Sequence, residues 1–348
     1  MEERLNSGTG GERPLLTFLL LAYNQERFVA EAVAGAFSQS YSPLEILLSD
    51  DCSSDRSFGI MEEMAGSYRG LHKIVLNRNP VNLGIGAHIN RAMEIATGEL
   101  VVVAAGDDVS MGTRTERCFL EWARRGRAPC SIYSDAILID SEGTEIRRMY
   151  GGNVPSHART VEEAVARESI GVAGCTHAWT RSCFEVFGPM DSRVVAEDMT
   201  IPFRSLLLGG VHYLDEPLIR YRMTGENTSG DFGLRPTVAM RAREARNHAA
   251  VYASWGRDIR VALEKGLLSA GRAAPMLREL SRLGYWKEAE SRYLESDPWK
   301  GLLGLICSLL KTGNVYRPTR IVARRIRTRN TRAPGAGRRG GPDEPPRP

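Results

Sequence analysis

Over the first 126 positions, short apolar runs alternate with longer stretches in which apolar residues recur at helical spacing. Thr17 to Ala22 (TFLLLA), Leu44 to Ser49, Lys73 to Asn77 and Leu100 to Ala105 have the length of strands, and their near-continuous hydrophobicity predicts strands covered on both faces. Helices are predicted from about Arg27 to Gln39, from an N-cap among Ser53, Ser54 and Asp55 through Met64, and from the turn Asn82-Leu83-Gly84 over Ile85 to Ala96, with Gly98 ending the last. This order implies a parallel sheet with helices on both faces. From Ser131 the texture changes: SIYSDAILID, the turn Ser141-Glu142-Gly143 and TEIRRMY read as a hairpin, hence an antiparallel edge on that sheet. A helix over Val161 to Glu168, a strand-like Ala173 to Thr180, helices over Arg181 to Phe187 and Asp198 to Leu208, and a last strand over Val211 to Leu214 follow. From Arg235 to about Tyr316 the pattern is helical and rich in Arg, Ala and Leu.

The expected organisation is a flexible start over 1–13, an α/β domain over 14–230 with halves at 14–126 and 127–230, a helical region over 231–316 and a basic tail over 317–348. Of 348 residues, 42% are hydrophobic and 25% charged, the balance of a chain that builds a sizeable core. The six cysteines form no CxxC pair and no framework spacing, which argues against a zinc site or a disulfide scaffold and for a reducing, cytoplasmic setting. The polar N-terminus lacks the pattern of a secretion signal. The net charge of +4 hides an asymmetry, because Arg317 to Arg339 carries nine arginines and no acid. That tail reads as a solvated segment; together with the apolar residues Leu302 to Leu310 it also suits an anionic membrane surface, such as the inner face of the plasma membrane.

Three acidic stations stand where strands are expected to reach their carboxyl ends: Asp50-Asp51, Asp107-Asp108 and Glu197-Asp198. In an open α/β sheet the ligand crevice lies outside those ends, so stations about 150 positions apart converge on one pocket. Together they suggest a nucleotide site, a metal site and a base. A dinucleotide fingerprint is missing, because AYNQER follows the first strand in place of GxGxxG.

The runs AYNQERFVAEAVAGAFSQSYSPLEILLSDDCSSDRS, NLGIGAHINRAMEIATGELVVVAAGDDVS and FGPMDSRVVAEDMTIPFRSLLLGGVHYLDEPLIRYR resemble family 2 glycosyltransferases over about Leu15 to Ser229. The resemblance implies a GT-A fold, the Rossmann-like mixed sheet of nucleotide-diphospho-sugar transferases. It implies an inverting transfer of a sugar from a UDP-, dTDP- or GDP-linked donor to a glycan or lipid-linked acceptor, assisted by Mg²⁺ or Mn²⁺, in surface polysaccharide or glycolipid assembly. Nucleic acid is not expected as a partner.

On that resemblance, Ala22, Tyr23 and Asn24 lie at the donor base and ribose, where an aromatic ring stacked on a base is worth roughly 1 to 3 kcal/mol. One carboxylate of Asp50-Asp51, by preference Asp51, accepts the ring N–H of uracil, thymine or guanine. Asn82 and Gly84 suit the donor phosphates, since exposed N–H groups at a helix start meet anions. Asp107 falls on the last aspartate of the DxD-type metal motif and Ala105 stands where its first belongs; Asp108 is the neighbouring metal candidate. Asp198 is the expected general base, with Glu197 and Arg204 in support. Arg181, Tyr221 and Arg222 fall on the acceptor or diphosphate side, and Thr224 stands where similar chains often carry His. Two rivals remain: an inactive GT-A-like binding module, which Ala105 and Thr224 would mark, and a nucleotidyltransferase, which lacks its usual Gly-rich basic loop here.

Overall fold

The computed structural model describes residues 12–224 and 237–296. The basic tail, the apolar run at 302–310 and most of the N-terminal segment lie outside the described residues.

Four strands form as the apolar runs predict: β1 (Leu16–Ala22), β2 (Leu44–Asp50), β3 (Lys73–Arg78) and β4 (Leu100–Ala105). They pair in parallel in the order β3-β2-β1-β4. Every residue of β1 and β2 is buried because both sheet faces are covered. Leu16, Phe18 and Leu20 pack on one side with Val29 and Val33 of α1 (Val29–Phe37) and Met61 of α2 (Ser57–Ser67). Leu19, Leu21, Val101 and Val103 pack on the other with Ile89, Ala92 and Met93 of α3 (Ile85–Ile95). Each such aliphatic side chain contributes roughly 1.5 to 3 kcal/mol of burial. Glu45, the acid near the start of β2, is held by Thr17, Thr97 and Lys73 at 2.8 to 3.1 Å. The α2 start lies later than expected. Asp55 receives the Ser57 N–H, while Ser53 and Ser54 bind the neighbouring loop.

After the short β5 (Val109–Ser110) and α4 (Arg114–Arg124), the sheet turns mixed. β6 (Ser131–Ile139) and β7 (Glu145–Arg148) form the expected antiparallel hairpin. The hairpin is not a simple edge, however: β6 lies inside the sheet, between β8 (His177–Thr180) on one side and β9 (Val211–Arg222) on the other. β8 itself is antiparallel to β4 and closes the sheet in the order β3-β2-β1-β4-β8-β6-β9-β5. Two boundaries are corrected. Only His177–Thr180 of the strand-like segment is a strand, because Gly174–Thr176 makes a single 3₁₀ turn before it. The last strand runs on from Leu214 to Arg222, since its second half pairs with β6 as far as Ile139 and with β5.

The helices α5 (Val161–Arg167), α6 (Ser182–Phe187) and α7 (Glu197–Leu208) fall where expected, and Thr160 caps α5 by accepting the Glu163 N–H at 3.1 Å. Helices α8 (Val238–Glu264) and α9 (Ala270–Glu295) follow. The described residues divide into two compact units, 12–224 with 247–285, and 237–246 with 286–296. The helical region expected over 231–316 is thus not one appendage: its stretch 247–285 is part of the sheet domain. Trp255 stacks on Phe203 of α7 at 4.5 Å between ring centroids and donates Nε1–H to Met199 O at 3.0 Å. In the second unit, Ala242, Trp286, Ala289, Tyr293 and Leu294 form a small cluster of their own. Among the described residues no helix is long and apolar enough to cross a membrane.

Candidate active site

The first acidic station is a frame of internal hydrogen bonds at the ends of β1 and β2. Asp51 N donates to Ala22 O at 2.9 Å, which locks the two strand ends together. Asn24 takes a left-handed backbone with φ 52, a conformation Asn tolerates, and its Oδ1 accepts from Ser54 N at 2.9 Å. Asp50 is fully buried, accepts from Ser53 N at 2.9 Å and from Ser53 Oγ, and lies 3.7 Å from Arg78. Asp51 accepts from Asn79 Nδ2 at 2.8 Å and Leu83 N at 2.9 Å on Oδ1, and from Gly84 N at 2.9 Å on Oδ2. Tyr23, by contrast, is 47% exposed at the end of β1.

One phosphate expectation changes here. The Gly84 N–H, expected to face an anion, is shared between Asp51 and Asn82 Oδ1 at 2.9 and 3.0 Å. Gly86 is required by packing, since a Cβ there would meet Val194 O at 2.4 Å.

The second station follows β4. A Cβ on Gly106 would meet Gln25 Oε1 at 2.5 Å, so the turn after Ala105 passes directly under the Gln25 side chain. That amide accepts the Tyr23 N–H at 3.3 Å and hydrogen-bonds Asp107, joining the donor loop to the acidic turn. Asp107 is half-buried, and burial raises its pKa while Arg222 and Gln25 oppose the rise. Asp108 is 2% exposed, accepts the Arg222 N–H at 2.9 Å, and leaves Oδ2 buried without a partner. Burial and the neighbouring Asp107 push its pKa well up.

Two buried arginines hold this turn. Arg222 donates to Asp107 O at 3.0 Å, Ser141 O at 3.0 Å and Glu31 at 2.9 Å, with its guanidinium 4.7 Å from the Phe28 ring centroid. Arg114, wholly buried, donates to Ser110 Oγ at 2.9 Å and to the carbonyls of Cys175 and His177 at 3.1 and 3.3 Å.

The third station opens α7. Pro202 has no N–H to give the Asp198 carbonyl four residues back, which loosens the helical pattern around the acidic pair. A Cβ on Gly174 would meet Glu197 Oε1 at 2.4 Å and Asp198 Cβ at 3.4 Å, so the acids sit against the 3₁₀ turn that Arg114 holds. Cys175 in that turn feels both stations: its thiol is pushed well up by burial, then by Asp108, Asp107 and Asp198, with Arg114 opposing. The second and third stations therefore converge, although Glu197-Asp198 opens a helix and does not end a strand as expected. Burial, then Asp198, pushes Glu197 up to about 8, and burial pushes Asp198 up to about 6. The two carboxyl groups titrate as a pair, both held above the ordinary carboxylate range. Tyr150 borders the pair, its hydroxyl pKa raised by burial and, in part, by Asp198.

A stability prediction follows. Between the ordinary glutamate value and about 8, the unfolded chain loses a proton from Glu197 that the folded chain keeps, so stability falls as pH rises. The slope is on the order of 1 kcal/mol per pH unit in that window. Glu197→Gln should therefore flatten the decline of Tm between pH 5 and pH 8 in thermal melts; parallel curves for both proteins would refute the assignment.

Two expected site residues lie elsewhere. Arg181 donates N–H to Glu99 O at 2.9 Å, beside the amino end of β4, roughly 20 Å along the strand from Ala105 at about 3.3 Å per residue. β8 runs antiparallel to β4, which carries Arg181 to the far end of the sheet. Arg204 is neither at the site nor on the surface. It is fully buried, paired with Asp258 of α8 at 2.9 Å, and donates to Gly188 O at 2.7 Å, joining α7 to α8. Arg222 does come to the acidic turn, because β9 is longer than expected, while Tyr221 packs with Ala136, Leu138 and Ile219. Gln25, Arg114, Tyr150 and Cys175 escaped sequence reasoning. Gln25 alone carried a signal, as a polar residue two positions beyond the strand-end Tyr23.

Residues 17–163 match the family model described as Glycosyl transferase family 2. EpsE of Bacillus subtilis (strain 168) is 34% identical over 119 residues, 34% of this chain and 40% of that relative's length. TarS 1-349 of S. aureus, solved in complex with UDP-GlcNAc, shares the fold with a TM-score of 0.56 at 15% identity, over 84% of this chain and 79% of that one. The mannosyltransferase PcManGT from Pyrobaculum calidifontis, solved with GDP-Man and Mn2+, has a TM-score of 0.50 at 16% identity, over 95% of this chain and 93% of that one. The strand order, the acidic turn after β4 and these matches lead to one conclusion: residues 17–163 match the glycosyl transferase family 2 model, and the fold is GT-A-like.

Proposed function

We propose that this protein transfers a sugar from a nucleotide diphosphate donor to an acceptor hydroxyl with inversion, Asp198 serving as the general base. The observation that carries the reading is the convergence of Asp107-Asp108 and Glu197-Asp198 around Cys175, with the latter pair poised to share one proton near neutral pH. A base whose pKa lies just below the working pH is ionised yet still takes a proton effectively.

Tyr23 offers an exposed ring to the base, Asn24 its side chain to the ribose, and Asp51 one remaining lone-pair position on Oδ2 to a ring N–H. Gln25 bonds the Asp107 side chain and Arg222 donates to its backbone carbonyl. Asp198 takes the proton of the acceptor hydroxyl as its oxygen attacks the anomeric carbon, while protonated Glu197 leaves that carboxylate as the pair's single charge.

The acidic turn also fits a divalent cation. Among the described residues no cluster of three or more His, Cys, Asp or Glu could hold one, but Mg²⁺ commonly takes one or two carboxylates and completes its shell with substrate phosphates. Asp107 and the buried, unpartnered Oδ2 of Asp108 supply such a pair, and burial raises the pKa of both. When bound, Mg²⁺ or Mn²⁺ would neutralise the diphosphate as it departs. The complexes of TarS with UDP-GlcNAc and of PcManGT with GDP-Man and Mn2+ support this reading by their likeness of fold.

Surface glycan or glycolipid assembly at the cytoplasmic face of a membrane is the setting we propose for this chemistry. The test is a screen of UDP-, dTDP- and GDP-sugars for donor hydrolysis with and without Mn²⁺. Hydrolysis of at least one donor, enhanced by metal, is expected; inertness toward all of them, with no nucleotide binding, would favour the inactive module.

A further inference from the structure

Behind the donor frame runs a chain of polar side chains that the proposed chemistry does not use. His88 of α3 is 3% exposed, and its Nε2 lies 2.7 Å from Ser49 Oγ on β2. Asn77 on β3 donates Nδ2–H to the same Oγ at 2.9 Å and to Asn79 Oδ1 at 3.1 Å. Asn79, 2% exposed, then donates its own Nδ2–H to Asp51 Oδ1 at 2.8 Å.

The links have a direction. Asn79 must present its amide nitrogen to a carboxylate, which turns its oxygen to Asn77. Asn77 fills one lone pair of Ser49, whose hydroxyl hydrogen goes to His88 Nε2 when the ring carries its proton on Nδ1. Burial favours the neutral ring that accepts it, against the pull of Asp51 and Asp50. The outcome at Asp51 is specific. Asn79 and Leu83 N fill both lone-pair positions of Oδ1, while Gly84 N fills only one of Oδ2.

We infer that His88, Ser49, Asn77 and Asn79 are positioning residues for base selectivity: they saturate one oxygen of Asp51 so that the other reads a ring N–H of the donor base. This rests on the proposed role of Asp51. A buried polar chain of this kind costs desolvation that an apolar core would not, and fully satisfied it fixes a single geometry.

The test compares bases that differ in that ring N–H and in the exocyclic groups beside it. Calorimetry on the full chain would measure UDP against CDP and GDP against ADP for the wild type, Asn79→Ala, His88→Leu and His88→Gln. The wild type should prefer the N–H-bearing member of at least one pair. In Asn79→Ala that preference should shrink about tenfold, the scale of one misplaced buried hydrogen bond, with binding of the non-preferred base unchanged. His88→Leu should lose part of the preference and His88→Gln, which keeps an acceptor, should retain it. Equal binding of both members of both pairs by the wild type would reject the Asp51 reading itself. A wild-type preference kept intact in Asn79→Ala and His88→Leu would overturn the relay alone, as would a uniform loss for all four nucleotides. If Asn79→Ala does not fold, Ser49→Ala removes a single hydroxyl from the chain and yields the same comparison.

Discussion

Asp198→Asn should lower single-turnover sugar transfer by ~10²-fold or more while donor affinity stays within a few-fold. Asparagine keeps the size and much of the hydrogen bonding of aspartate but cannot take the acceptor's proton. The pH profile gives a second readout. Burial pushes Asp198 up to about 6, so its carboxylate is available above that value and lost as pH falls through it. Turnover of the wild type should rise through about pH 6, and that limb should vanish in Asp198→Asn. Glu197→Gln should be milder, because Glu197 is already protonated below about 8 and glutamine mimics that form. Donor binding that falls in step with rate in Asp198→Asn would mean that this residue holds the diphosphate. A deeper defect in Glu197→Gln would exchange the two roles.

Asp107→Ala should abolish the metal-dependent part of nucleoside diphosphate binding. Ala105 leaves Asp107 as the one half-buried carboxylate on the turn, and Arg222 and Gln25 are already arranged around it. Asp108→Ala should keep some of that dependence while costing stability, since the buried carboxylate also receives the Arg222 N–H that ties β9 to the turn. Calorimetric titration of UDP and GDP with and without Mg²⁺ or Mn²⁺ measures both effects. Unchanged, still metal-stimulated affinity in Asp107→Ala would remove it from the site.

Where the sequence was legible, the reason is local. The runs TFLLLA and LVVVAA can be little other than buried strands, and their carboxyl ends mark the crevice in any parallel α/β sheet, so Asp50-Asp51 and Asp107-Asp108 could be placed without coordinates. The start of α7 was equally plain, because acids followed by an apolar run read as a helix N-terminus.

Where reading failed, long-range pairing decided. Arg181 follows a strand that looks like its neighbours, and only the antiparallel pairing of β8 with β4 sends it to the far end of the sheet. Arg204 sits one and a half turns beyond Asp198, yet its partner is Asp258, 54 positions on, in a helix whose packing no local pattern announces. Gln25 and Arg114 are ordinary polar residues until the fold brings one over Gly106 and the other beneath the turn of Cys175.

The sequence by itself determined the parallel half of the sheet, the acids at its strand ends and the helix that presents Asp198, because hydrophobic period and strand direction are properties of contiguous residues. Only the tertiary structure decided which acids share a proton, which are stapled to backbone N–H groups and which arginines hold them. Protonation and hydrogen bonding depend on burial and on partners distant in the chain, and burial is fixed only once the sheet has closed.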